Sequence, residues 1–285
     1  MKKVFLNISL LLLAICLGFC HSLSFMELNK PERVLSQGVW LSYITRHFNF
    51  YYRPSSRSSV LIDSIAAKQE ENYSEVLKLF NLYDYGYKVK YFIFEDFKDY
   101  DNVTGAGSFS NTYEIGNYGA VYAIDNDSLS NVTGKHEITH FLVDNFFGFG
   151  APGPFKWLTS EGLAVWSDGS WNGEELFNYV ARKLRNDEIS SPYFIVTHPE
   201  AQHVQQNIYP MAGAFTKFMI SSYGLAKFLN LYQKGYTLDS FKTIFGKSFY
   251  EQNTIFENFL KRKLDEKSNP LPSSELERKN NPLLH

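Results

Sequence analysis

The chain is poor in cysteine. It has two in 285 residues, Cys16 and Cys20, both close to the N-terminus. Everything after Cys20 must therefore be held together by packing and by any bound metal, without a disulfide. It also lacks a charge imbalance: the net charge is −2, so no global basic field points to nucleic acid. Beyond the N-terminus no apolar run reaches the ~18 residues of a membrane span. No phosphate loop is present either. Gly105-Ala106-Gly107-Ser108-Phe109 is glycine-rich but lacks the loop's spacing and a following Lys-Ser/Thr pair. No internal repeat is evident. What the chain does have is aromatic side chains, 17% of its residues, ample for one large core or two lobes.

Residues 1–22 read as a targeting segment. Lys2 and Lys3 form a charged start, Leu10 to Leu17 an apolar stretch, and small-residue cleavage patterns follow. Two processing routes are open. A signal peptidase would cut after Ser22, whereas Leu17-Gly18-Phe19-Cys20 resembles a bacterial lipobox that would leave Cys20 lipidated, with Phe19 departing from the small residue usual there. Either route predicts an extracytoplasmic protein: secreted, periplasmic or lipid-anchored to the envelope. A membrane contact is expected only through lipid at Cys20.

The most informative stretch is Lys135-His136-Glu137-Ile138-Thr139-His140. Histidines four apart on a helix lie one above the other, about 5–6 Å apart at Cβ. Both imidazoles can then reach one zinc ion at about 2.0–2.1 Å. Glu137 follows the first histidine, where its carboxylate can take a proton from a zinc-activated water without being a ligand. The bland alternative is a surface helix with two unconnected histidines. Against it stand the uncharged Ile138, Thr139, Phe141 and Leu142, capping residues at Ser130, Asn131 and Thr133, and stops at Gly148 and Gly150.

A second motif follows, Trp157-Leu158-Thr159-Ser160-Glu161-Gly162-Leu163-Ala164. Catalytic zinc takes three protein ligands and keeps one position open, and His₂Glu is one standard set. Glu161 lies on what reads as a second apolar helix, with Gly162 and Ala164 small enough for close helix approach. On Thr133 to Leu142 and on Trp157-Leu158-x-x-Glu161-Gly162-Leu163-Ala164, the chain resembles the gluzincin (MA-clan) zinc metallopeptidases, in particular the bacterial peptidase-MA-like group. The resemblance implies His136, His140 and Glu161 as ligands of one Zn²⁺ and Glu137 as general base. It also implies an α+β, zincin-like fold: an N-terminal mixed-sheet lobe carrying the metal helix, a helical C-terminal lobe, and a cleft between them.

The remaining segments are read in that light. Arg46 to Tyr52 alternates as a strand, Ser59 to Phe80 has helical spacing, and Tyr87 to Glu95 reads as a second strand. His47 is taken as a strand residue, and Glu70 and Glu71 as a solvated helix face. Tyr118 to Ile124 is a third strand. In gluzincins the strand nearest the cleft is an exposed edge that pairs with extended peptide, so the stretch Gly119 to Tyr122 is the candidate for that role, with an ordinary buried strand as the alternative. Residues 148–154 break regular structure and are taken as a hinge between lobes, giving domains at 23–150 and 151–265 and a polar tail at 266–285. Glu174-Glu175 to Arg185 is read as a helix and Ser191 to Gln206 as irregular. The triplets at Asn72, Asn102, Asn126 and Asn131 match an N-glycosylation pattern but are incidental in so Asn-rich a chain.

For the oxyanion, gluzincins add a tyrosine or histidine donor from beyond the glutamate helix. Tyr209 fits by type and place, just before Pro210 in the first turn of a helix ending near Gly224, and is the second candidate catalytic residue beside Glu137. His198 and His203 are rivals in the preceding segment. Three functional readings stay open: a peptidase, an inactive zincin-like binding or structural protein, and a zinc hydrolase for a non-peptide amide or ester.

Overall fold

The computed structural model describes residues 30–105, 111–113, 119–125, 130–198 and 208–268. The targeting segment with Cys16 and Cys20, His203 and the end of the polar tail lie outside them. The protein is α+β and divides into two compact units, one ending at Phe146 and the other starting at Phe147. Among the described residues no helix is long and apolar enough to cross a membrane.

The first unit is built on a five-stranded mixed sheet. Its strands are β1 (Leu41–Ile44), β2 (Phe48–Tyr52), β3 (Val89–Phe94), β4 (Asn111–Tyr113) and β5 (Ala120–Ile124). Their order is β1-β2-β3-β5-β4. β2, β3 and β5 run parallel, with β1 and β4 antiparallel at the two ends. β3 and β5 are buried nearly throughout, as parallel strands covered on both faces must be.

Alternation sends Phe92, Phe94, Tyr122 and Ile124 to one face, against α1 (Pro31–Leu35) and α3 (Phe97–Thr104) through Val34, Tyr100 and Val103. Trp40 closes this cluster edge-on to Phe92 and Phe94, at centroid distances of 5.5 and 5.3 Å. On the opposite face Phe48, Phe50 and Tyr91 pack on one another, and Phe48 meets Tyr73 of the 24-residue helix α2 (Arg57–Phe80). The N-terminus of α2 is tied to the end of β5, where Arg57 and Ser58 donate to the buried Asp125 carboxylate. After β5 the chain forms a single turn, α4 (Ser130–Thr133), and then α5 (His136–Phe147).

Two expectations about this unit need correction. β5 is not an edge: Ala120 to Tyr122 pair with β3 on one side and with β4 on the other. The chain returns antiparallel over residues 111–113 and covers the stretch expected to bind extended peptide, so β4 takes the outer place. Glu70 is not a solvated residue. It accepts from Thr45 Oγ1 at 2.6 Å, the His47 amide at 2.8 Å and His47 Nδ1 at 2.5 Å. Its carboxyl is partly buried, which alone would raise its pKa. The Thr45 and His47 hydrogen bonds outweigh that and hold it below the usual carboxylate range. Glu71 does lie on the exposed face, paired with Lys68.

The second unit is helical: α6 (Lys156–Asp168), α7 (Leu176–Arg185), α8 (Pro192–Thr197), α9 (Ile208–Tyr223), α10 (Leu225–Lys234), α11 (Leu238–Phe245) and α12 (Phe249–Ser268). Its core is a chain of phenylalanines. Phe249 meets Phe155, Phe241 and Phe215, and Phe215 passes the contact on to Phe256. Glu174-Glu175 is not helical. It is β7, paired with β6 (Ser170–Trp171) across Asn172-Gly173, both at positive φ as a two-residue type I′ turn requires. α7 starts only after it, with the Glu175 carboxylate capping the Asn178 amide. Part of the segment expected to be irregular is α8, opened by Ser191, whose hydroxyl accepts from the Phe194 amide, and by Pro192. Residues 148–155 are tied down within this unit, the Ala151 amide donating to the Tyr232 carbonyl at 2.7 Å.

Candidate metal and catalytic site

α5 presents two unlike faces. Ile138, Thr139, Phe141, Leu142 and Val143 are buried, whereas His136, Glu137 and His140 are only partly covered. The helix is kept regular beneath the histidines by Thr139, whose amide and hydroxyl both donate to the Lys135 carbonyl. His136 and His140 therefore stand on the same side one turn apart. Their rings are nearly perpendicular (80°), and their Nε2 atoms are 3.2 Å apart.

That separation is chemically restrictive. Two uncharged imidazoles can share one proton across it, and two imidazoliums would repel. One metal ion can also be shared: bonds of about 2.0–2.1 Å in tetrahedral geometry set two nitrogens about 3.3–3.4 Å apart. The pair already stands close to the bite that zinc needs. Glu137, next to His136, shares this partly open side. Its charge is felt by the buried Tyr91 phenol, whose pKa is pushed up first by burial and then by that carboxylate.

In the second unit Glu161 sits in the middle of α6, partly buried, with a carboxylate oxygen able to act as a ligand. The following residue explains why α6 can lie so close to α9. A Cβ at Gly162 would sit 2.9 Å from the Ala212 carbonyl oxygen and closer still to Thr216 Oγ1. A Cβ at Gly213 would sit 2.8 Å from Val165 Cβ. Two glycines, one on each helix, allow the backbones to approach, as the small residues after Glu161 led us to expect. Ala164 is fully buried.

Tyr209, in the first turn of α9, is also partly exposed. Its ring packs edge-on to Trp157 at 5.3 Å and parallel to Trp171 at 6.3 Å. Trp157 lies one helical turn before Glu161, so this unit brings Glu161 and Tyr209 to the neighbourhood of one indole. A cavity of about 380 Å³ opens beside Glu161, walled by Pro154, Lys156, Trp157, Ser160, Glu161 and Val196. It is within the size range of sites that take small organic groups.

The rival donors differ. His198 ends α8, stacked on Phe194 at 4.2 Å with Nδ1 3.0 Å from Thr197 Oγ1, so it is engaged by its own helix. His203 lies outside the described residues. His47 borders β2 and belongs to the Glu70 cluster. Reading the sequence missed two buried amides on α2, Gln69 and Asn72, which reach the turn before α5. Their only signal was polarity on the apolar side of an amphipathic helix. No family model, curated protein or solved structure matches this chain.

Proposed function

We propose that the protein is an exported, zinc-dependent peptidase of the gluzincin kind. The observation that carries this reading is the 3.2 Å separation of the two Nε2 atoms on an H-E-x-x-H helix. His136 and His140 hold the ion, and Glu161 completes a His₂Glu set. Each of the three is partly buried and offers one ligand atom. The donor set is nitrogen and carboxylate oxygen without thiolate, suited to zinc that keeps a position open.

When bound, zinc supplies Lewis acidity, which acidifies a water and polarises a carbonyl. Glu137, a neighbour of the ligands and not one of them, takes the proton of the attacking water on its carboxylate. It then passes that proton to the amine that leaves. As the carbonyl carbon becomes tetrahedral, charge builds on its oxygen, and the Tyr209 hydroxyl donates to it. Trp157 and Trp171 support this role, because they hold the Tyr209 ring on two sides and leave its orientation little freedom. The cavity beside Glu161 receives a side chain of the peptide.

The test is cleavage of a peptide library by the purified protein, with and without a chelator. Cleavage abolished by chelation and restored by zinc is expected. Chelator-insensitive cleavage, or none from zinc-loaded protein, would reject the peptidase reading.

A further inference from the structure

Gln69, Asn72 and Glu75 recur every third residue along α2, on the side turned toward α4 and the start of α5. The first two are fully buried, at 0% and 1% exposure. Gln69 Nε2 donates to the Val132 carbonyl at 2.8 Å, to the Gly134 carbonyl at 3.1 Å and to Tyr91 Oη at 3.1 Å. Tyr91 in turn donates to Val132 at 3.3 Å. Asn72 Nδ2 donates to the Thr133 carbonyl at 2.7 Å and to Gln69 Oε1 at 3.2 Å, locking the two amides together. Glu75 accepts from Lys135 Nζ at 2.8 Å. Four consecutive residues, Val132 to Lys135, are thus each held by one face of α2.

Those four residues lead straight into His136. Carbonyls at the end of a short helix have no partner within it and normally turn to water, a glycine motif or a loop. Here side-chain amides from a distant helix take that place, at the buried Val132 and the partly buried Thr133 and Gly134. Burying two amides is tolerated only when they are bonded, and both hydrogens of each are used. The same bonds could have been made anywhere in the core. Their convergence on the last turn before the metal helix is what calls for an explanation.

We propose that Gln69 and Asn72 are positioning residues for α5: by holding the carbonyls of Val132, Thr133 and Gly134 they set the direction in which His136 and Glu137 leave the turn. This inference rests on α5 being the metal-binding helix of the proposed peptidase.

The test compares Gln69→Leu, which keeps bulk and removes the donor, and Asn72→Ser, a milder change. Ser58→Ala is the control, since it lies on the same helix, is equally buried, and bonds Asp125 instead. Zinc alone is the probe, titrated against a chromophoric chelator, together with thermal midpoints and the visible spectrum of cobalt-loaded protein. Orienting partners of this kind typically cost 10–100-fold in metal affinity or activity when removed. We expect zinc affinity to fall about 10–100-fold in Gln69→Leu and Asn72→Ser, with an altered cobalt spectrum at saturation. Ser58→Ala should bind zinc within about two-fold of wild type, by the same comparison.

If Gln69→Leu does not fold, Asn72→Ser decides by the same criterion. Unchanged zinc affinity and cobalt spectrum in a folded variant, whatever its thermal midpoint, would overturn the positioning role and leave the metal reading intact. A wild-type protein that binds no zinc would remove both.

Discussion

Gly162→Ala is the sharpest probe of how α6 is seated, because it adds one carbon where the structure has no room. The new Cβ would lie 2.9 Å from the Ala212 carbonyl oxygen, which is helix backbone, and closer to Thr216 Oγ1. The threonine could rotate away, since that hydroxyl makes no hydrogen bond among the described residues. The carbonyl cannot move without α9. Overpacking of this kind costs about 1–3 kcal/mol, occasionally more. Against it, alanine gains about 1 kcal/mol over glycine in a helix interior. Because one of the contacts is to helix backbone the upper end of the overpacking range applies, and the net expectation is a loss of about 2 kcal/mol.

Thr216→Ala should relieve only the hydroxyl part of the clash. The double variant should therefore show a favourable coupling of about 0.5–1 kcal/mol. Urea unfolding followed by tryptophan fluorescence is the assay, since Trp157, Trp166 and Trp171 lie in the second unit and only Trp40 in the first. A Gly162→Ala protein as stable as wild type, or more so, would show that the helices are not this close. Because Glu161 precedes the substituted residue, zinc affinity should fall as well, while Gly173→Ala in the exposed hairpin turn should spare it.

Three further outcomes are expected. Glu137→Gln should keep zinc and fold while turnover falls by about 10²–10⁴, and normal turnover by zinc-loaded Glu137→Gln would move the base elsewhere. Tyr209→Phe should lower kcat about 10²–10³-fold, or about 2.7–4 kcal/mol, with zinc content and thermal stability nearly unchanged; a collapse on His203→Ala instead would transfer the oxyanion role to His203. The depressed pKa of Glu70 means that its contribution is fully present above the unfolded-state value near ~4.3 and is lost as pH falls through the lower folded value. Glu70→Gln should thus cost about 1.5 kcal/mol at neutral pH and progressively less as the pH is lowered through the folded value, and a cost in urea melts that does not change across an acid titration would refute the linkage.

Features set by local pattern were legible in the sequence. The spacing of Ile62, Ile65, Ala66, Tyr73, Val76, Leu77 and Phe80 marks α2, and all of these are buried except Leu77, which is partly covered. The apolar residues between and after the two histidines mark α5, and the small residues after Glu161 mark a helix that packs closely. Features set by distant partners were not legible. Whether β5 is an edge depends on a three-residue strand that pairs back onto it, and nothing in the sequence of β5 records that neighbour. Glu70 reads as one more charge on a helix until His47, 23 residues earlier, is seen to bond it. Gln69 and Asn72 read as interruptions of an apolar face, because the backbone carbonyls they hold lie more than 60 residues away. Two local signals were simply under-read: Asn172-Gly173 as a hairpin turn and Ser191-Pro192 as a helix start.

The central claim is that His136, His140 and Glu161 hold one zinc ion, and metal content tests it most directly. Elemental analysis of the purified wild-type protein should give one zinc per chain, and His136→Ala and Glu161→Ala should each lose most of it while remaining folded. Zinc retained at full occupancy in both variants, or absent from the wild type after reconstitution, would contradict the account.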